Sequence, residues 1–70
     1  MSKKAKKEET RAARIEDLKA GAKLYAHGSE WIVQRKYDKG IWEARDFQGS
    51  RIVGEKCIFE GEIQHYQVKL

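Results

Sequence analysis

The stretch Trp31–Arg45 combines residue types that can grip nucleic acid. It reads WIVQRKYDKGIWEAR and contains both tryptophans of the chain, a tyrosine and four cations around one glycine. Aromatic rings stack on bases and cations meet phosphates, so this composition is typical of sites for single-stranded nucleic acid. The same letters also form an ordinary β-hairpin with one buried and one exposed face, and the two interpretations place the rings differently.

The lysine-rich start of the chain is a second candidate for nucleic-acid contact. Four lysines, and two arginines in the segment that follows, can contact phosphates without reading sequence. The six residues are Lys3, Lys4, Lys6, Lys7, Arg11 and Arg14. Residues 1–23 hold eight Lys/Arg and four Asp/Glu, whereas residues 24–70 hold seven of each, so the first segment accounts for the whole net charge of +4. Glu8 and Glu9 interrupt the run, and a solvated, solubilising terminus is the alternative interpretation.

A third set of cations lies on the predicted outer face of the strands. These residues are Lys36, Lys39, Arg45 and Arg51, with Tyr25 as the ring that would stack on a base. Small barrels often bind nucleic acid on such a surface. Three acids, Glu43, Asp46 and Glu55, dilute the positive charge. A lone exposed tyrosine is also more often plain cover for a sheet than a binding residue.

The chain offers little for metal binding or catalysis. Its strong metal ligands are His27, Cys57 and His65, which are far apart and form no CxxC or HxxxH spacing, so no metal or other cofactor is expected. No phosphate loop, nucleophile elbow or HExxH motif is present. A core this small leaves little room for a pocket. The sequence therefore predicts a protein that is not an enzyme.

Composition limits the class of protein further. Charged residues make up 37% of the chain, and no apolar run approaches the ~18 residues of a membrane-spanning helix, so we expect no membrane association. The basic start has no apolar stretch after it and is unlike a secretory signal. A single cysteine cannot form an internal disulfide, and a cytoplasmic, intracellular location fits best.

Local patterns divide the chain into three parts. Residues 1–7 are charged, lack apolar anchors and are predicted to be a disordered basic tail. Residues 8–20 contain good helix formers with a thin apolar stripe and are predicted to be a short helix that ends before Gly21. Residues 22–70 alternate apolar and polar side chains between glycine turns, which is typical of a small β domain.

The spacing of these strands predicts the fold class. Residues 22–70 are too few for a sandwich, and they suit a small five-stranded barrel of SH3-like or OB-like kind. The whole chain is then mostly β, with a basic and partly helical N-terminal extension. Alternation also selects the apolar side chains of the core. Those residues are Leu24, Ala26, Ile52, Ile58, Phe59, Tyr66, Val68 and Leu70, with Val53 and Cys57 ambiguous.

The turn of the hairpin decides which side chains share a face. A three-residue loop, 38–40, pairs Tyr37 with Ile41 and mixes apolar and charged residues on both faces. A four-residue loop, 38–41, pairs Tyr37 with Trp42 and puts both tryptophans and Tyr37 on one face. A half-buried sheet selects the cleaner pattern. We therefore predict the four-residue loop and a structural role for the tryptophans.

Two functions remain after these exclusions. The leading prediction is an accessory protein that binds DNA or RNA through its basic N-terminal arm and a barrel face. The alternative is a protein-interaction module, an adaptor or inhibitor of a larger protein or complex. It would use a barrel face or a sheet edge, with Tyr25, Ile32 and Val53 as anchors. A homodimer through the same kind of edge is a further expectation. The two functions differ in whether basic or apolar residues dominate the largest exposed patch.

Overall fold

The computed structural model describes residues 9–70, which form one curled antiparallel sheet and two short turns of 3₁₀ helix. The strands are β1 (Thr10–Ala12), β2 (Lys23–Ala26), β3 (Ser29–Asp38), β4 (Ile41–Gln48), β5 (Arg51–Phe59) and β6 (Gln67–Lys69). The 3₁₀ turns span Ile15–Asp17 and Glu60–His65. The spatial order β1-β6-β2-β3-β4-β5 makes β1 and β5 the two edges. The mostly β prediction is confirmed, but the sheet is a six-stranded half-barrel and not a five-stranded barrel.

The N-terminal part of the chain differs from its prediction. Residues 1–7, the predicted disordered tail, lie outside the described residues. The helix predicted over residues 8–20 is wrong, because β1 pairs with β6 and only the first 3₁₀ turn follows. Asp17 stabilises that turn by accepting hydrogen bonds from the Arg11 guanidinium at 2.9 Å and from the backbone N–H of Arg14 at 2.8 Å. Pairing with the distant C-terminal strand therefore overrides local helix propensity.

The predicted four-residue loop between β3 and β4 is also wrong. Asp38 pairs with Ile41 and closes a two-residue turn, and Trp42 faces Lys36 instead of Tyr37. Lys36 opposite Trp42 is the pairing of the alternative, three-residue register. A single uniform register, whichever loop is chosen, does not describe this hairpin.

Two β-bulges in β3 explain why both tryptophans nevertheless pack on the core. The register shifts at Gln34 and again at Tyr37, and neither residue has a partner in the described ladder with β4. Each bulge adds one residue to β3, so the side chains beyond it keep the face that burial requires. Val33 is buried, whereas Tyr37, expected inside, is 57% exposed.

The core lies on the inner face of the curled sheet. Its buried side chains are Ala13, Leu18, Leu24, Val33, Ala44, Ile58, Ile63 and Tyr66. Half-buried Trp31 and Trp42 pack against them, as do Ala26 and Val68. The second 3₁₀ turn contributes one of the buried residues, Ile63, between β5 and β6. The predicted structural role of the tryptophans thus agrees with their position.

Three residues predicted for the core are exposed instead. Ile52, Phe59 and Leu70 have exposed fractions of 44%, 49% and 75%. Ile58 and Phe59 are neighbours in β5, and successive side chains of a strand point to opposite faces, so only one of them enters the core. Ile58 does, with 1% of its surface exposed. Ile52 lies directly before a bulge in β5, and Leu70 lies after the end of β6.

Candidate interaction surface

β5 is the long, open edge of the sheet. It pairs with β4 along its length, and among residues 9–70 no strand lies on its other side. A free edge presents unpaired backbone N–H and C=O groups, which are a template for another strand. The chemistry of this edge therefore depends on where its backbone groups and side chains point.

The side chains of β5 alternate between the two faces of the sheet. On the inner face, a Cβ added to Gly54 would lie 3.3 Å from the Trp31 ring, Lys56 approaches the same ring, and Ile58 is buried. The outer face carries the residues between and after them, Glu55, Cys57 and Phe59. Only the inner face of β5 is fixed by the core.

The backbone of β5 also alternates. The Glu60 N–H donates to the Gly40 carbonyl at 2.9 Å, which continues the β4–β5 ladder by one residue. In an antiparallel ladder, alternate residues direct both N–H and C=O to the same neighbouring strand. From Gly54 to Phe59 the register is regular, so the even-numbered residues bond to β4. The odd-numbered residues direct their backbone N–H and C=O groups to the free side of β5. These residues are Glu55, Cys57 and Phe59.

A β-bulge shapes the first half of this edge. Asp46 pairs with Gly54 and Phe47 with Ile52, which leaves Val53 without a partner on β4. Ile52 and Val53 are 44% and 50% exposed. Two further apolar side chains of the strand, Cys57 and Phe59, are exposed as well. We call these four exposed apolar residues the β5 surface: Ile52, Val53, Cys57 and Phe59.

Many cations of the described chain already face a carboxylate. Five pairs lie within 4.0 Å: Arg11–Asp17, Arg14–Glu16, Arg35–Glu43, Lys36–Glu60 and Arg45–Glu55. The first is held by two parallel hydrogen bonds of 2.9 Å. These bonds from Arg11 are the main reason that the pKa of Asp17 lies below its ordinary value. Local pairing therefore balances at least five of the eleven Lys/Arg side chains of residues 9–70.

Lys36 and Arg45, which were predicted to share a nucleic-acid face, lie on opposite faces. Lys36 is opposite Trp42 on the inner face, where its ammonium lies 5.7 Å from the Trp42 ring. Arg45 is opposite Ile32 and Glu55 on the outer face. Its Nε lies 3.1 Å from a Glu55 oxygen, although the two are not aligned as a hydrogen bond. The two cations cannot form one patch.

Lys39 and Arg51, also predicted for that face, occupy opposite ends of the sheet. Lys39 lies in the β3–β4 turn and Arg51 starts β5 opposite Gln48, so the length of β4, roughly 23 Å, separates them. Both are exposed. Arg11 and Arg14 lie at the β1 edge beside their carboxylates. Lys3, Lys4, Lys6 and Lys7 lie outside the described residues.

Tyr25, the ring predicted to stack on a base, has contacts within the sheet. Its hydroxyl donates to a Glu30 carboxylate oxygen at 2.8 Å, and this bond is the main cause that raises the pKa of Tyr25. The Lys69 ammonium lies 4.6 Å from the centre of its ring. The hydroxyl therefore has its partner in β3, and the ring has its partner in β6.

Sequence reasoning missed a cation that the fold does place with aromatic rings. The Lys56 ammonium lies 4.9 Å from the Trp31 ring and 5.1 Å from the Tyr66 ring. No carboxylate among residues 9–70 forms an ion pair with it. Strict alternation from Ile58 places Lys56 on the inner face, and that signal was available in the sequence. The same alternation would have exposed Phe59.

The strong metal ligands of the chain do not cluster among the described residues. His27, Cys57 and His65 do not come together, and residues 9–70 contain no group of three metal-binding side chains. His27 instead forms a tight turn with Gly28, both at positive φ, between β2 and β3. No helix in residues 9–70 has the length and apolar character to cross a membrane.

Comparison of the chain with protein-family models, curated proteins and solved structures found no match. The geometry of the β5 surface and the distribution of charge are therefore the basis for a functional proposal.

Proposed function

We propose that this chain is a non-enzymatic protein-interaction module whose β5 edge accepts an extended strand of a protein partner. The observation that carries the proposal is a free edge of nine residues with exposed apolar side chains. Partner strands bind such edges through main-chain hydrogen bonds, and alternate side chains supply specificity. On β5, the backbone groups of Cys57 and Phe59 offer the bonds, and their side chains offer apolar contacts.

Charge also favours this function over a nucleic-acid face. Apolar residues dominate the exposed part of β5, and its one outward carboxylate, Glu55, is paired with Arg45. The cations predicted for a nucleic-acid face are divided between two faces and two ends of the sheet. Exposed apolar residues gathered on one strand mark interaction sites more often than single scattered ones do.

Two substitutions at Phe59 test the proposal. Phe59→Ala removes the exposed ring, whereas Phe59→Pro also removes an N–H that points away from β4. The φ of Phe59, −95°, lies near the range of proline, which edge strands tolerate. With immobilised chain and a nuclease-treated lysate of the source cells, we expect Phe59→Ala to weaken capture of a partner about tenfold. Phe59→Pro should abolish it.

Ile15→Ala provides the matched control. Ile15 is 54% exposed, similar to Phe59, but lies on the first 3₁₀ turn. Its variant should capture the same partner as the unaltered chain. Equal capture by Phe59→Pro and the unaltered chain would contradict the proposal. Circular dichroism checks that each variant keeps its sheet.

Nucleic-acid binding through the basic arm is the second candidate. Residues 9–70 hold eleven Lys/Arg and ten Asp/Glu, a net charge of +1, whereas residues 1–8 hold four and one, a net charge of +3. Lys3, Lys4, Lys6 and Lys7 are therefore the main source of excess positive charge. Such contacts are independent of sequence and weaken steeply with salt. Among the cations predicted for the barrel face, Lys39 and Arg51 are exposed and form no ion pair with a carboxylate of residues 9–70.

Deletion of residues 2–7 tests this second candidate. The shortened chain should bind DNA or RNA more weakly at low salt and should melt at nearly the same temperature. If four phosphate contacts are lost, the slope of log binding constant against log salt falls by about 3 to 4. Absence of binding by the full chain at low salt would exclude the function.

A further inference from the structure

We propose that the β5 edge pairs with the β5 edge of a second copy of this chain, antiparallel and centred on Ile58. The inference rests on the proposed function of β5 as a strand-accepting edge, and it names the occupant. The direction of the backbone groups and the match of charged and apolar side chains favour that register.

Symmetry limits the registers that two copies can adopt. In a twofold dimer the same patch meets itself, so residue i faces j and j faces i. If the two sheets join into one continuous sheet, a twofold axis perpendicular to it places the inner faces of both copies on the same side. Residues of the inner face therefore lie opposite residues of the inner face. The odd-numbered residues, whose backbone groups point to the free side of β5, lie opposite one another. The residue on the axis opposes its own copy.

The charged side chains argue against the three centres that directly precede Ile58. An axis at Glu55 puts two carboxylates opposite each other, and an axis at Lys56 does the same with two ammonium groups. An axis at Cys57 places Glu55 against the Phe59 of the other copy, which sets a charge against a ring. Like charges directly opposite each other in a ladder are destabilising.

An axis at Ile58 gives complementary pairs on both faces. On the outer face Cys57 lies opposite the Phe59 of the other copy, and each exposed ring gains an apolar neighbour. On the inner face Lys56 lies opposite the Glu60 of the other copy. Cys57 and Phe59 also have outward backbone groups, so each such pair can exchange both of its hydrogen bonds. In this register the free backbone groups gain hydrogen bonds, and the side chains on both faces gain complementary neighbours.

The Lys56–Glu60 pair would give each side chain a partner that it lacks among residues 9–70. Lys56 has aromatic neighbours but no ion pair with a carboxylate among residues 9–70. Glu60 accepts the Trp42 indole N–H at 2.9 Å and lies 4.0 Å from the Lys36 ammonium, both through Oε2. Its Oε1 has no hydrogen bond within the described residues. The flexible four-carbon stem of Lys56 lets its ammonium reach across to a neighbouring strand.

The contact is short. The second 3₁₀ turn begins at Glu60, so the paired segment covers only residues 56–60 and leaves Ile52 and Val53 uncovered. Short interfaces belong to the small, weak class. Association should therefore depend on concentration, and it should be measured up to about millimolar chain, where weak dimers form.

Charge exchange tests the register. We expect sedimentation equilibrium of the full chain to show a monomer–dimer equilibrium. Lys56→Glu and Glu60→Lys should each lower the association constant roughly fivefold or more, because each pair occurs twice in the dimer. The double exchange should restore it. Lys23→Glu, which makes the same charge change on β2, should leave it unaltered.

A second measurement reports the contact itself. In a sample that mixes isotope-labelled and unlabelled chains, intermolecular NMR contacts should join Cys57 to Phe59. A single-chain mass at every concentration, or a double exchange that fails to restore association, overturns the inference. Capture of another protein that Phe59→Pro abolishes, by a chain that stays monomeric, would retain the proposed function and exclude the second copy.

Discussion

The two edges of this sheet are built differently. β1 is three residues long, and the arginine at its centre, Arg11, is held by Asp17. β5 is nine residues long and carries exposed apolar side chains next to free backbone groups. Short edge strands with charged side chains are how natural proteins prevent further strand pairing. The contrast indicates that β1 closes one side of the sheet and that β5 leaves the other side available.

The two edges also differ in how firmly they join the rest of the sheet. β5 lies along β4 over its whole length. β1 is attached through β6, and β6 pairs with β2 through Tyr25 and Gln67 alone. Between β1 and β6, the Thr10 hydroxyl donates a hydrogen bond of 3.0 Å to the Gln67 side chain. The available edge is thus the better supported one.

Neighbouring residues of β5 provide the largest test of this comparison. Ile58→Ala should lower the free energy of unfolding by about 2–5 kcal/mol, because Ile58 is fully buried. Phe59→Ala should change it by about 0.5 kcal/mol or less, because the ring lies on the outer surface. Urea denaturation measures both. Equal losses would mean that Phe59 supports the fold, and β5 would lose its role as an interaction surface.

The connection at Tyr25 gives a smaller effect at the other edge. Tyr25→Ala should cost roughly 1–2 kcal/mol, because it removes a half-buried ring together with its contacts to Glu30 and Lys69. Amide exchange should accelerate most in β1 and β6 and little in β4 and β5. Tyr25→Phe keeps the ring and should cost about 0.5 kcal/mol or less, since one partly exposed hydrogen bond is lost. Uniform acceleration across the sheet would show that the two edges open together.

The Asp17 carboxylate gives the smallest effect, and it depends on pH. The pKa of Asp17 is lowered in the folded chain, so its contribution is present above the unfolded value of about 3.9 and is lost as pH falls through the folded value. At neutral pH, Asp17→Asn should speed amide exchange in β1 roughly two- to fivefold, as expected for a partly exposed ion pair. The difference from the unaltered chain should shrink below about pH 4. A difference that persists at low pH would assign the effect to packing.

The sequence predicted the central hairpin but not its register. Alternation and glycine turns identified the β3–β4 hairpin, and the turns before and after it, from local signals. The bulges at Gln34 and Tyr37 have no such signal, because any residue type fits a bulge when the sheet around it demands one. They reversed the expected position of Tyr37 while preserving those of the tryptophans. Only the assembled core decides between such registers.

The N-terminal segment failed for a different physical reason. Residues 8–20 favour a helix locally, yet β1 gains its partner from the opposite end of the chain. Such long-range pairing leaves no local pattern. The exposed position of Phe59, by contrast, followed from its adjacency to Ile58 and was predictable. Part of the candidate surface, the exposed ring of Phe59, could therefore be predicted from the sequence.

The position of the tryptophans gives the molecule a built-in optical reporter. The Trp31 ring lies over Gly54 of β5, and Trp42 is opposite Ile58 with its indole N–H bonded to Glu60. Indole emission depends on the polarity around the ring. Any event that lifts β5 from the sheet would carry both rings toward water and shift their fluorescence to longer wavelength. Tryptophan fluorescence can therefore report on the state of β5, the edge that we assign to binding, without an added dye.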